Sequence, residues 1–331
     1  MSTVRNAILE GTSAAARLHE ELGLRKTVEA SGGGIDVFGA LLKLNATVLF
    51  RPLDGLLGAC LAGPSPGVMI STQRPLRIQR FTGAHELGHV ALGHQASLDG
   101  EEILTRSSRN RDLQEVAADA FAAEFLIPKW LLQAHARRQG WNRASMTDPT
   151  TVYQLALRIG ASYDATCRAL ERDKIIDTSV RDQLLEVPRK QIKQALLNGL
   201  ELENWSPDVW LLSERDEGQI IEGQPDDVFV LRLTEKSGAG YLWSIDGLRD
   251  AGFVVLRDQR EPLQPDHAIG GPVTRALTAR PPAPTSGDFA LELRRPWQKT
   301  GAPLSRFRVL YNLFGREVGM PRALRRQLMA A

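Results

Sequence analysis

The 331-residue sequence predicts an α+β protein, with a helix-rich first part and an all-β second part. Up to about residue 200 the apolar residues follow helical spacing or sit in alanine-rich runs, as in "AAARLHEEL", "RFTGAHELGHVALGH" and "DLQEVAADAFAAEFL". After Trp205 the apolar runs become short and strand-like: "VFVLRLT", "GYLWSI", "FVVLRD", "FALELRR" and "FRVLYNLFG", parted by Gly, Pro and Asp clusters. An apolar content of 43% supplies core enough for two domains of ordinary size.

Taken in order, two helices open the chain. The first covers Ala14 to Leu22 and stops at Gly23; the second covers Ile35 to Ala46, after the "SGGG" break. "TVLFRPL", "LLGACLAG" and "GVMIST" then read as a small meandering sheet. The "HELGH" helix follows, then a helix from about Asp112 to Leu126 closed by Pro128, and another from Lys129 towards Arg138. "TVYQLALRIGASYDATCRALERDKII" has the pattern helix, small-residue turn, helix. A helical stretch interrupted by Pro188 connects to the β part, in which "TARPPAPTSGD" is a Pro-rich loop between strands.

Composition removes several function classes. A net charge of +2, from 41 basic and 39 acidic residues, gives no global field for nucleic acid or an anionic membrane. The helix-turn-helix-like unit carries mixed charges (Arg158, Asp164, Arg168, Glu171, Arg172, Asp173, Lys174), so it reads as a core or lid element with no direct nucleic-acid contact. The N-terminus lacks the apolar stretch of a signal peptide and no run approaches membrane-spanning length, so a soluble, cytoplasmic chain is expected. Cys60 and Cys167 are too few for a disulfide framework or a four-cysteine zinc site, and read as reduced, buried and inert.

The chemistry concentrates in His85, Glu86 and His89. Residues four apart share a helix face, so His85 and His89 can offer two imidazoles to one zinc ion, with Glu86 beside them as general base. Catalytic zinc takes a third protein ligand and keeps a fourth position open. Glu115 is the candidate, with Glu124 as a weaker competitor nearer the helix end. Asp119, one turn after Glu115, is the type of residue that accepts the second N–H of a liganding histidine. The small residues Ala117, Ala118, Ala120, Ala122 and Ala123 would let this helix approach the first closely. His94, five residues past His89, is expected to face elsewhere, and His19, His135 and His267 read as solvated or internally satisfied. The donor for a tetrahedral oxyanion stays open between Arg109 and Tyr153. The basic loop with Arg106, Arg109 and Arg111 reads as a solvated segment near the cleft, suited to an acidic substrate stretch.

"RFTGAHELGHVALGH" followed by "EVAADAFAAEFLIPKW" resembles the ImmA/IrrE family of zinc metallopeptidases over roughly residues 10 to 175. The resemblance implies His85, His89 and Glu115 as zinc ligands and Glu86 as general base. It also implies limited proteolysis of a regulatory protein, a transcriptional repressor or an antitoxin, in a stress or mobile-element response. The β part is similar to the chagasin-type cysteine protease inhibitors, an immunoglobulin-like fold, with loops "KSGAGYLW", "AIGG" and "RRPW" in the order of that family's three inhibitory loops. Gly240, Tyr241, Trp243, Gly270, Gly271, Arg295, Pro296 and Trp297 stand at the matching positions. Lys236, Ser237, Gly238 and Ala239 replace the Asn-Pro-Thr-Thr of the first loop, and Ala268 replaces the first glycine of the second.

The expected organisation is a metallopeptidase domain (1–175), a helical connector (176–204) and a chagasin-like domain (205–331) used for recognition or regulation. The rival reading is a cysteine protease inhibitor or protein-docking module on a scaffold metal domain. A DNA-binding regulator ranks last.

Overall fold

A computed structural model of the chain describes residues 2–61, 63–95, 97–100, 112–262, 271–298 and 301–330. The first part opens with three helices, α1 (Ser2–Glu21), α2 (Leu24–Ser31) and α3 (Val37–Lys43), where two were expected. The extra helix, α2, is short and buries only Leu24 and Val28, an i, i+4 pair too sparse to register as a periodic run.

Strands β1 (Thr47–Arg51), β2 (Leu56–Leu61), β3 (Gly67–Ser71) and β4 (Ser97–Gly100) form one sheet in the order β1-β3-β2-β4. Helix α4 (Leu76–Leu92) lies against this sheet and ends at Gly93, whose left-handed φ of 66° turns the chain back on itself. Helix α5 (Leu113–Leu126) starts at an Asp112 cap that accepts from Gln114 N. It packs tightly against α4: a Cβ on Gly88 would stand 3.2 Å from Ala118 Cα. The alanine-rich α5 thus makes the close approach its composition predicted. Helices α6 (Lys129–Gln139), α7 (Pro149–Ile159), α8 (Tyr163–Arg172), α9 (Thr178–Glu186) and α10 (Arg189–Leu197) complete the helical part.

Strands β5 (Val209–Leu212), β6 (Ile220–Glu222), β7 (Val228–Glu235), β8 (Leu242–Ser244), β9 (Val254–Pro262), β10 (Val273–Arg280), β11 (Ser286–Arg294) and β12 (Ser305–Asn312) build two four-stranded sheets, ordered β5-β7-β10-β9 and β6-β12-β11-β8. Phe229, Leu231, Leu277, Phe289, Phe307 and Val309 pack between them. The protein is therefore α+β, as expected: a helix-rich region followed by a β-sandwich. Among the described residues no helix is long and apolar enough to cross a membrane.

The two parts share a built junction. Edge strand β5 is capped by the Gln154 side chain, which donates to Val209 O (2.7 Å) and accepts from Leu211 N (2.8 Å), taking the place of a neighbouring strand. Arg158 donates to Asp216 Oδ1 (2.9 Å) and to Leu211 O (2.7 Å), and Gln139 donates to the same carboxylate oxygen (2.7 Å). On the far side, Phe50 of β1 and Gly319 exchange two backbone hydrogen bonds. Val209, Val228 and Val230 belong to the helical part's core rather than to the sandwich interior. The segment that resembles a helix-turn-helix, α7 and α8, is thus a packing element, and α7 carries the junction.

His19 and His135 are buried and satisfied: His19 Nε2 lies 2.9 Å from Phe125 O, and His135 Nε2 lies 2.9 Å from Gly33 O. Burial pushes the His135 pKa down to about 4. Between that value and about 6.5 the unfolded chain takes the proton and the folded chain does not. The contribution is therefore complete above pH 6.5 and is lost as pH falls towards 4, about 3 kcal/mol in all. Urea midpoints at pH 7.5, 6 and 5 should fall with acidification, and His135→Gln should flatten the slope; an unchanged slope would remove His135 as its source.

Candidate metal centre

Helix α4 presents His85 and His89 on one face, both 1% exposed, with Glu86 fully buried between them in sequence. Helix α5 brings Glu115 in its first turn and Asp119 one turn later. A carboxylate in a first turn also faces the positive end of the helix dipole.

His85 Nε2 lies 3.1 Å from His89 Nε2 and 3.2 Å from Glu115 Oε2, and His89 Nε2 lies 3.5 Å from Glu115 Oε1. One ligand atom from each of the three residues falls within 4.8 Å of the other two. On the other side of the first ring, His85 Nδ1 lies 3.1 Å from Asp119 Oδ1.

Burial is the main cause that holds the His89 pKa down to about 4, so its ring is neutral at pH 7 and offers a lone pair. The hydrogen bond to His85 holds the Glu115 carboxyl below its usual value, against the effect of burial. Two imidazole nitrogens and one carboxylate oxygen, converging on a point, are the donor set of a catalytic zinc site with room for a fourth ligand. The residues present fit that metal.

Glu86 points to the sheet side. A Cβ on Gly58 of β2 would stand 2.4 Å from Glu86 Oε1 and 2.5 Å from Thr82 Cγ2, so glycine at 58 lets the strand backbone approach the carboxylate.

Other candidates fall elsewhere. Glu124 pairs with Arg172 at 3.4 Å, away from the cluster. Tyr153, one of the two suggested oxyanion donors, is a correction: its hydroxyl donates to Asp208 Oδ1 (2.8 Å) and accepts from Val209 N (3.0 Å) at the junction. Arg109, with Arg106 and Arg111, lies outside the described residues, as do His267 and Gly270.

His94 is the residue that sequence spacing misplaced. A straight helix would carry position 94 away from His89, but the turn at Gly93 folds it back. Its Nδ1 then lies 3.0 Å from His89 Nδ1, with the rings 5.0 Å apart. The Gly at a helix C-terminus was the available signal.

In the sandwich, the first and third loops meet. The Arg295 guanidinium stacks 4.7 Å over the Tyr241 ring, and Trp297, 68% exposed, lies against Gly240. Pro296 follows Arg295 in the same turn, and Gly271 sits at the start of β10's approach, partly exposed. Trp243 is a correction as a recognition contact: it is 3% exposed and donates through Nε1 to Thr234 O (2.9 Å) inside the sandwich. Strand β7 runs from Val228 at the junction to these loops, and β12 returns from them to Asn312.

The His85, His89 and Glu115 cluster thus sits on a helix-rich scaffold that is joined to a β-sandwich. Residues 33–171 match the model of a peptidase family described as "IrrE N-terminal-like domain", and residues 224–310 match "Chagasin family peptidase inhibitor I42". The chain thus combines a peptidase-like domain of metallopeptidase origin with a chagasin-like domain.

Among solved structures, the chain is similar to the cysteine protease inhibitor EhICP2 from Entamoeba histolytica, at 19% identity and a TM-score of 0.29, covering 33% of this chain and 99% of that one. It is also similar to Amebosin (18% identity, TM-score 0.27, 33% and 99% covered). A third is PbICP-C in complex with falcipain-2 (14% identity, TM-score 0.20, 34% and 97% covered). No curated protein matches the chain.

Proposed function

We propose that this chain is a zinc metalloendopeptidase that cleaves a specific regulatory protein in the cytoplasm, a transcriptional repressor or an antitoxin, in a stress or mobile-element response. The observation that carries the reading is the convergence of His85, His89 and Glu115 from two helices onto one point. We assign these three as zinc ligands, Glu86 as general base and Asp119 as the group that orients His85. Bound there, zinc supplies Lewis acidity towards a peptide carbonyl and towards water.

The chain's own residues supply the proton transfers. Glu86 takes a proton from the water whose oxygen bonds to the carbonyl carbon, and delivers it to the amine nitrogen as the C–N bond breaks. Asp119, on His85 Nδ1, keeps that ring's Nε2 lone pair directed into the cluster. The working units are residues 1–175 for peptidase chemistry, 176–204 as connector and 205–331 for recognition.

The joined loop tip supports the recognition role. An exposed Trp beside an Arg stacked on Tyr is a good anchor pair for a protein partner. The same contacts favour a second reading in which the tip docks a papain-like cysteine protease. The changed first loop, Lys236 to Ala239, weighs against tight inhibition.

Elemental analysis of untagged wild type and Glu115→Ala tests the central assignment. About one zinc per chain is expected in the wild type, lost or weakened in the variant. A folded wild type without metal would end the peptidase reading and move the function to the β-sandwich.

A further inference from the structure

We propose that His94 is a positioning residue for the metal centre, holding the imidazole of His89 from behind as Asp119 holds that of His85. The inference rests on the zinc reading above and adds a residue to it.

His89 Nε2 lies beside His85 Nε2 and Glu115, at 3.1 and 3.5 Å, so Nε2 is the nitrogen that must present a lone pair. The proton of the neutral ring then sits on Nδ1. That Nδ1 meets His94 Nδ1 at 3.0 Å, a distance two lone pairs would not tolerate. His89 Nδ1–H therefore donates, His94 Nδ1 accepts, and His94 carries its own proton on Nε2.

The backbone sets this contact. After the left-handed Gly93, His94 N donates to His89 O at 3.0 Å, so ring and main chain of residue 94 return together to the same residue. Both histidines of the pair thus have a fixed tautomer and ring direction, one through a carboxylate and one through an imidazole. Partners of this kind are worth about 10-fold to 100-fold in metal affinity.

The test uses the full chain, with zinc affinity measured by competition against a chromogenic chelator and the d–d spectrum recorded after Co2+ substitution. His94→Leu, which keeps bulk and removes the acceptor, is expected to weaken zinc binding about 10-fold to 100-fold and to alter the cobalt band. His94→Asn places an amide oxygen where Nδ1 stands and is expected to restore most of the affinity and the wild-type band. Equal affinity in wild type and His94→Leu overturns the inference while leaving the zinc site intact. Equal loss in both variants also overturns it, since direct ligation, unlike an acceptor role, is not rescued by Asn. A wild type that binds no zinc overturns the underlying metal assignment instead.

Discussion

Glu86→Gln in the zinc-loaded full chain is expected to lower peptide hydrolysis about a hundredfold to ten-thousandfold while zinc content stays at the wild-type level. Glutamine fills the same volume against Gly58 but cannot accept the proton of the attacking water or return it to the leaving amine. The ligands His85, His89 and Glu115 are untouched, so metal content separates this variant from Glu115→Ala. Turnover is read on a quenched-fluorescent peptide library, and the candidate repressor follows once a cleaved sequence is known. Wild-type turnover in Glu86→Gln would remove Glu86 from the chemistry, whatever the state of the metal.

The second large effect concerns the junction. Asp216→Ala is expected to cost about 3–5 kcal/mol of folding stability, because it leaves the Arg158 guanidinium buried without its carboxylate. The pair is closed at 2.9 Å with side chains 8% and 3% exposed, so solvent cannot replace the lost partner. Gln139 loses its acceptor at the same time. With Val209, Val228 and Val230 packed in the helical part's core, loss of the junction should lower one cooperative urea transition rather than release an intact sandwich. A change below about 1 kcal/mol, or two separate transitions in the wild type, would show that the two parts are not coupled through this pair.

Much of the fold was legible from residue spacing. The strand runs after Trp205 became the sandwich, and the "HELGH" run became a helix, because side-chain periodicity depends only on local backbone geometry. The same reasoning placed His85 and His89 on one face. It also singled out Glu115 and Asp119, since an alanine-rich helix has no bulk to keep it from α4.

Other features needed distant segments to meet. Tyr153 has the chemistry of an oxyanion donor, yet its hydroxyl is committed to Asp208 and Val209 from beyond the connector. Trp243 reads as a loop aromatic, yet its indole bonds Thr234 O within the sandwich. Gln154 and Arg158 look like ordinary polar residues of α7 until β5 arrives to use them.

By itself, then, the sequence determined the α+β class, the helix carrying the two histidines and the candidate third ligand, because each follows from short-range periodicity and residue chemistry. Only the tertiary structure decided that the Tyr153 hydroxyl is spent on Asp208 and Val209 and that the first and third loops of the sandwich meet. It alone also joined the two parts by a buried ion pair and a shared core. Those outcomes depend on how helices and strands that lie far apart in the sequence pack together, and no local pattern encodes that meeting.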